Sequence, residues 1–200
     1  MSSTSIIRLA SKSDAAQVQD IYAPFVRDTP ISFEAEPPSV KEMQQRIEDT
    51  LRQFPWLICE HQAEVVGYVY ANSHRARAAY LWSVDVSVYI HQRYHRSGVG
   101  KALYLSLFEI LRLQGFCNAY AGATLPNPAS VGLHEALGFQ PVGVYEAVGY
   151  KFRAWHSVIW WQLALQERSV TPALPLPIGE VKERAEWQAA LNTGLPFLKL

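Results

Sequence analysis

The sequence predicts an α/β domain, with a mixed central β-sheet flanked by helices on both faces. One observation is the stretch 84–90, where apolar residues alternate with Asp85, Ser87 and Tyr89 at the two-residue period of a strand. Another is the segment 98–114, where apolar residues recur at intervals of three and four, as on one face of a helix. Segments of these two kinds alternate along most of the chain, which favours a layered α/β architecture.

Local signals at the element ends justify each predicted element. A helix begins after Ser13, a candidate N-cap, and is interrupted at Pro30. A second helix, to about residue 54, follows Ser39, which forms a capping-box pattern with Glu42. Gly115 suits the end of the long helix. The predicted strands are 6–9, 56–60, 65–71, 79–90, 116–124, 139–145 and 157–165, and the later helices are 98–114 and 130–137, which gives the order β-α-α-β-β-β-α-β-α-β-β.

Charge and composition argue against several classes of protein. The 200 residues carry 18 basic and 18 acidic side chains, and this balance argues against a nucleic-acid-binding domain. Cys59 and Cys117 lie in apolar runs without metal-ligand spacing, which argues against a disulfide scaffold or a zinc site. No segment resembles a signal peptide or reaches the ~18 apolar residues of a membrane span. We therefore expect a cytoplasmic protein with no metal, no membrane partner and no nucleic-acid partner.

The composition changes after Gln166. Pro172, Pro175 and Pro177 lie close together, which is typical of an extended linker laid along the surface or left mobile. Residues 182–191 are predicted to form a short helix anchored by Trp187. The sequence therefore divides into a domain at 1–166 and a proline-rich C-terminal extension at 167–200.

The most informative segment, 93–101, joins the aromatic strand to the long helix. Gly98 and Gly100 allow a tight turn that presents successive backbone N–H groups, and the helix start adds partial positive charge. Arg93, Arg96 and Lys101 add full charges, so the segment suits a pyrophosphate. A plain turn is the alternative, since a lone G-x-G is weak evidence. The spacing fits neither the Walker pattern nor the dinucleotide-binding pattern.

This glycine segment resembles the acyl-CoA-binding motif of the GNAT N-acetyltransferase superfamily. The whole chain from residue 6 to 165, about 160 of the 200 residues, resembles more narrowly the phosphinothricin N-acetyltransferase family. That resemblance implies the GNAT acyl-CoA N-acyltransferase fold. Its matching stretches are 31–34 (ISFE), 77–80 (RAAY), 82–90 (WSVDVSVYI), 134–139 (HEALGF) and 155–158 (WHSV), and the extension after Gln166 is not covered.

The resemblance implies acetyl-CoA as cosubstrate and assigns residues to it. The strand before the motif would pair with the pantetheine arm, and Asn127 would hydrogen-bond that arm, unless it is a simple turn or cap residue. One departure from the motif is His95, at a position where the family usually has Gln or Arg. The implied cofactor-binding residues are Val88, Tyr89, Ile90, Arg96, Ser97, Gly98, Val99, Gly100, Lys101 and Asn127.

Two residues are implied as catalytic. Asp85 stands where the family normally has Glu as general base. Because Asp is one methylene shorter, a water relay is favoured, and a structural salt bridge to an arginine is the alternative. His134 matches the position of the residue that protonates the leaving thiolate, and a hydrogen-bonded structural role is the alternative. Tyr89 and Tyr120 are reserve proton donors, although either also suits the core.

The family's amino-acid substrates carry anionic groups, which arginine can bind at two points. Arg75 and Arg77 would bind such a group, with Phe33 and Tyr80 as walls of the pocket; a solvated surface pair is the alternative reading of the arginines. The Trp160–Trp161 pair suits strand packing or a subunit interface, since members of this family are commonly dimeric.

These residues favour an N-acetyltransferase that moves the acetyl group of acetyl-CoA to the amine of a small amino acid. The acceptor would be of the phosphinothricin, methionine sulfoximine or methionine sulfone type, and transfer would be direct within a ternary complex because no cysteine lies near the motif. One alternative is a protein or polyamine acceptor. Another is a CoA-binding regulatory module without turnover.

Overall fold

A computed structural model describes residues 5–200 of the chain. Its seven strands are β1 (Ser5–Leu9), β2 (Trp56–His61), β3 (Glu64–Ser73), β4 (Ser83–Ile90), β5 (Asn118–Thr124), β6 (Gln140–Lys151) and β7 (Ala154–Ala164). Its six α-helices are α1 (Ala15–Asp28), α2 (Val40–Thr50), α3 (Val99–Gln114), α4 (Pro128–Ala136), α5 (Ile178–Val181) and α6 (Trp187–Asn192). The predicted order of elements through β7 is therefore confirmed.

The strands form one mixed sheet in the order β1-β2-β3-β4-β5-β7-β6. All neighbours are antiparallel except β4 and β5, which run parallel. That single parallel pair is short, because only Ser83 to Asp85 of β4 pair with Asn118 to Tyr120 of β5. Beyond Asp85 the two strands diverge and leave a gap in the middle of the sheet.

Helices cover both faces of the sheet, as predicted. Val84 and Val86 of β4 belong to the larger core cluster, which also contains the buried face of α3. Tyr68 of β3 lies in a second cluster with α1 and α2, and Tyr89 of β4 packs against it. Alternating residues of one strand therefore face different helical layers, as the two-residue period requires.

Three predicted strand ends are wrong for local reasons. The strand predicted over 79–90 begins at Ser83, because backbone hydrogen bonds from Tyr80 to Arg77 and from Leu81 to Ala78 form a 3₁₀ turn first. The strands predicted over 139–145 and 157–165 extend to a tight hairpin at Phe152 and Arg153, both with positive φ. Such a turn usually contains Asn or Gly, so the sequence lacked its usual hairpin signal.

The C-terminal extension packs along α3. The Leu176 amide donates to the Gln114 carbonyl at 2.8 Å, and the Ser106 hydroxyl donates to the Leu191 carbonyl at 2.7 Å. The helix predicted over 182–191 is confirmed only in its second half: residues 182–186 form a turn after α5, and α6 begins at Trp187. Trp187 does pack against the core as an anchor.

Candidate active site

The gap between β4 and β5 opens into a cavity of about 640 Å³ that passes through the sheet. Phe25 and Ile31, from α1 and the connector after it, line one end. Lys101 of α3 and Ser130 of α4 line the other end. Because these helices lie on opposite faces of the sheet, two molecules can enter from opposite sides and meet beside β4.

The exposed edge of β4 forms one wall of this cavity. Val86 to Ile90 pair with β3 through one edge, and within residues 5–200 no strand pairs with their other edge. Backbone N–H and C=O groups on an open strand edge can hydrogen-bond an extended, amide-containing molecule. Val88, Tyr89 and Ile90, which the sequence assigned to the pantetheine arm, all line the cavity.

The loop before α3 has the backbone conformation of an anion cradle. Arg96 and Gly98 both have positive φ, 61° and 82°, and α3 begins at the next residue, Val99. Alternating left- and right-handed residues turn successive N–H groups toward one point, and the helix start adds its partial positive charge. Of the predicted loop residues, Arg96, Gly98, Val99, Gly100 and Lys101 line the cavity, whereas Ser97 is not among the lining residues.

The basic residues of this loop lie in two different environments. Arg93 pairs with Glu64 of β3, so its charge is already balanced. Arg96 and Lys101 line the cavity and supply the cationic charge beside the cradle. His95, the departure from the family motif, bonds through Nε2 to the Ile90 carbonyl at 3.1 Å and so ties the end of β4 to the loop. His95 therefore makes a structural contact within the loop.

Asn127 is the N-cap of α4 and also lines the cavity. Its Oδ1 accepts a hydrogen bond from the Ser130 amide at 3.1 Å. Because an asparagine amide has both an acceptor and two donor hydrogens, this cap leaves the Nδ2 hydrogens for another partner. The capping role and the predicted ligand-binding role are therefore compatible.

Asp85 is paired with a residue that the sequence analysis did not assign to the site. His74 Nδ1 lies 2.6 Å from Asp85 Oδ1. Burial raises the pKa of Asp85, while the hydrogen bond from His74 and the charge of Arg75 partly oppose that shift. Asp85 is two residues before Ser87, a cavity-lining residue on the same face of β4. It therefore stands next to the cavity rather than within its lining.

His134 is buried, 3% exposed, and both of its ring nitrogens are engaged. Nδ1 donates to the Ser130 carbonyl at 2.8 Å, and the Tyr104 hydroxyl lies 3.1 Å from Nε2. The ring stacks on Trp161 with centroids 4.9 Å apart. Burial lowers the pKa of His134, which disfavours the protonated form that an acid must adopt. These contacts favour the structural alternative, although the ring does line the cavity.

The predicted acceptor residues lie around the site but are not among the residues that line the cavity. The charge of Arg75 acts on Asp85, and Tyr80 contacts His74 edge to face at 5.9 Å. Arg77 caps the 3₁₀ turn that precedes β4 and is exposed. Phe33 packs under the β6–β7 hairpin, where a side chain on Gly149 would overlap its ring.

Comparison with known proteins identifies the family. The sequence profile described as "Acetyltransferase (GNAT) domain" matches residues 7–160. This chain belongs to the GNAT acetyltransferase family. Phosphinothricin N-acetyltransferase of Streptomyces viridochromogenes is 37% identical over 177 residues, which cover 88% of this chain and 94% of that protein. The match places this acetyltransferase with the phosphinothricin N-acetyltransferases, as the sequence motifs predicted.

Other relatives agree in sequence and in structure. L-methionine sulfoximine/L-methionine sulfone acetyltransferase of Salmonella typhimurium is 30% identical over 84% of this chain and 98% of that protein. A phosphinothricin acetyltransferase from Sinorhizobium meliloti, solved in complex with acetyl-CoA, superposes with a TM-score of 0.80 at 31% identity, over 86% of this chain and 94% of that one. The predicted GNAT fold is therefore confirmed.

Two further observations concern metals and membranes. Within residues 5–200 no group of three His, Cys, Asp or Glu side chains is arranged to hold a metal ion. Over the same range no helix combines the length and the apolar character that a membrane span needs.

Proposed function

We propose that this GNAT acetyltransferase moves the acetyl group of acetyl-CoA to the α-amine of a small amino acid of the phosphinothricin, methionine sulfoximine or methionine sulfone type. The observation that carries the proposal is the cavity that crosses the sheet. It has a phosphate cradle at its α3 end and opens beside Asp85 near the layer of α1. The names of the relatives supply the acceptor class.

The residues present fit acetyl-CoA. The backbone N–H groups of the loop 96–100, with Arg96 and Lys101, would hold the pyrophosphate. The open edge of β4 and the Nδ2 hydrogens of Asn127 would hold the pantetheine arm. Acetyl-CoA supplies a thioester whose carbonyl carbon accepts the nucleophile.

On the acceptor side, Arg75 and Arg77 would bind the anionic groups of the amino acid, and Phe33 and Tyr80 would close the pocket. An amine is mostly protonated near neutral pH, so a proton must leave it before attack. Asp85 supplies the negative charge that favours this loss. The amine then attacks the thioester directly, since both cysteines of the chain are buried on other elements and Cys59 has a raised pKa of about 12.

The proton of the leaving thiol has two possible sources. A thiol ordinarily has a pKa of ~8.5, so its thiolate can leave with little help and take a proton from water. His134 remains the predicted donor from this chain, since it lines the cavity and its Nε2 lies 3.1 Å from the hydroxyl of Tyr104, which also lines it.

We also propose that the chain is a cytoplasmic homodimer. Two unpaired, buried cysteines support a reducing compartment. The first nine residues of β6 are exposed, and Val142 and Trp155 of the β6–β7 hairpin are 61% and 65% exposed. A long, apolar edge strand of this kind is usually covered by a partner. Trp160 and Trp161 support strand packing instead, since they pack on Gly122 and His134 of the same chain.

The test is release of CoA by the purified protein with acetyl-CoA and, in turn, phosphinothricin, methionine sulfoximine and methionine sulfone. Saturable turnover with any of the three is the expected result. Turnover only with polyamines or peptides would overturn the acceptor class. Binding of acetyl-CoA by calorimetry without turnover against any amine would overturn the enzymatic function and favour a CoA-binding module.

A further inference from the structure

We propose that Asp85 acts through His74: the proton leaving the acceptor amine goes to His74 Nε2, while Asp85 holds the Nδ1–H of the same ring. The assignment rests on the proposed acetyl transfer and names the group that receives the proton. His74 is the first residue after β3, and Asp85 lies in β4, eleven residues later in the chain. The pairing of Asn72 with Asp85 across these strands brings the two side chains together.

The contact between the two side chains fixes the position of the hydrogen. An ionised carboxylate can only accept, so at 2.6 Å from Asp85 Oδ1 the Nδ1 atom of His74 must donate. A neutral ring with its hydrogen on Nδ1 has a free lone pair on Nε2. Within residues 5–200 the hydrogen bond found for the His74 side chain is the one through Nδ1, and the side chain is 13% exposed. Nε2 is therefore available to a bound molecule or a water.

Two aromatic rings hold the imidazole in place. Tyr120 of β5 stacks on it with centroids 4.2 Å apart and planes 16° apart, and Tyr80 contacts it edge to face. The titratable or charged groups that surround the ring are Asp85 from β4, Arg75 from its own loop, Tyr80 from the 3₁₀ turn and Tyr120 from β5. Asp85 is the anion among them, so it stabilises an imidazolium at this position.

The same contact gives a role to the aspartate at a position where the family resemblance implies the longer glutamate. The oxygen of Asp85 that faces His74 is already engaged, and this side chain is 31% exposed. A carboxylate one methylene shorter reaches less far toward an acceptor, whereas the imidazole ring extends the reach of the pair. The charge of Arg75, one of the predicted acceptor residues, acts on Asp85.

The proton balance of the step is complete. The substrate ammonium gives one N–H proton to Nε2, which leaves a neutral amine and an imidazolium paired with Asp85. The amine nitrogen forms a C–N bond to the thioester carbon, and the C–S bond breaks as the tetrahedral intermediate collapses. The second N–H proton passes to water or the thiolate, and His74 returns its proton to solvent.

The first experiment is nitrogen NMR of the full-length protein with ¹⁵N-labelled histidine. His74 is expected in the Nδ1–H tautomer, which is the minor form of free histidine, and Asp85→Asn is expected to weaken that preference. A His74 signal with hydrogen on Nε2 would overturn the proposal, because that nitrogen could then not accept a proton. This measurement does not depend on turnover, so failure of the His74 proposal can be distinguished from failure of the proposed function.

The second experiment measures kcat/KM for the amine in His74→Ala and Asp85→Asn, with acetyl-CoA binding and circular dichroism as checks on folding. Loss of a general base predicts a decrease of about 10²- to 10⁴-fold in each variant. Added imidazole is expected to restore His74→Ala by about tenfold or more, because the space between Tyr80 and Tyr120 admits the ring, and to leave Asp85→Asn unrestored.

The outcomes separate the possibilities. If His74→Phe, which keeps the stack on Tyr120, retained activity within about threefold of the wild type while Asp85→Asn lost it, Asp85 would act alone and the proposal would fail. If the wild-type protein bound acetyl-CoA but acetylated no amine, the proposed function would fail, and the tautomer measurement would still decide the pairing.

Discussion

At the scale of single residues, the site depends on a few positions whose chemistry allows no substitute. Gly98 has a φ of 82°, and a side chain there would overlap the carbonyl oxygen of Phe197. His134 is fixed by two hydrogen bonds and a stacked ring. Both residues line the cavity, so they affect its shape as well as its chemistry.

Gly98→Ala is expected to weaken acetyl-CoA binding by about tenfold or more, since a left-handed non-glycine residue costs about 1–2 kcal/mol before the overlap is counted. Calorimetric titration with acetyl-CoA measures this. Gly132→Ala is the matched control, because Gly132 lies in α4 with no atom within 4 Å of the added carbon. Equal affinity of the two variants would contradict the cradle.

The pH dependence of stability tests His134. Because burial lowers the pKa of His134 in the folded state, the unfolded chain binds more protons below its ordinary pKa of ~6.5. The free energy of unfolding is therefore expected to fall as pH decreases from about 7.5 to about 5.5, and to fall less in His134→Gln. Urea unfolding at several pH values measures both proteins.

The same variant separates the two roles of His134. A structural role predicts lower stability with kcat changed by less than about fivefold, whereas loss of a general acid predicts about 10²-fold or more. Steady-state kinetics on the folded variant decides between them. An unchanged stability together with a large loss of kcat would show that the ring acts in catalysis.

At the scale of elements, α3 is enclosed between the sheet and the C-terminal extension. The final segment reaches the phosphate loop itself: the Lys199 amide donates to the Ser97 carbonyl at 2.8 Å, and the Lys101 ammonium lies 4.5 Å from the centre of the Phe197 ring. The extension is thus a support for the loop before α3. Its hydrophobic anchors, Ile178 and Leu191, are buried in the core.

Deletion of residues 197–200 is expected to raise the KM for acetyl-CoA by about three- to tenfold, because it removes one hydrogen bond and one cation–π contact, each worth about 1 kcal/mol. The kcat should change little, since none of these residues lines the cavity. Phe197→Ala should show a smaller part of the effect. Val170→Ala, at a residue 99% exposed in the same extension, is the control. An unchanged KM in the deletion would contradict the supporting role.

At the scale of the whole molecule, one irregularity of the sheet produces the site. Strands β4 and β5 pair over three residues and then diverge, which opens a passage between the two helical layers. The sheet also has an exposed edge at β6, which carries apolar side chains. A second copy of the chain would cover that edge.

Val142→Arg is expected to shift the protein from dimer to monomer, because Val142 is 61% exposed on β6 and an unpaired charge is unfavourable in a buried interface. Size-exclusion chromatography with light scattering measures the mass. Val170→Arg places the same charge on the extension and should remain dimeric. A wild-type mass of one chain at all concentrations would contradict the dimer.

The sequence by itself determined the fold and predicted the residues of the proposed cofactor end of the site. The periodicity of 84–90 and of 98–114 predicted β4 and α3, and the glycines between them predicted the phosphate cradle, since these signals depend on residues adjacent in the chain. It did not predict the turn at Phe152 and Arg153, which contains no glycine. It also did not predict the path of the extension, whose contacts involve α3 at a distance in sequence.

Only the tertiary structure decided how the candidate catalytic groups are paired. His74 directly follows β3 and Asp85 lies in the neighbouring strand β4, whereas Tyr104 and His134 lie on different helices, so no local pattern relates the members of either pair. The same packing gives the basic residues of the loop before α3 different environments. Arg93 forms an ion pair with Glu64 of β3, whereas Arg96 and Lys101 line the cavity. Hydrogen bonds and charges act over a few ångströms in space, and that proximity is fixed by strand register and helix packing rather than by spacing along the chain.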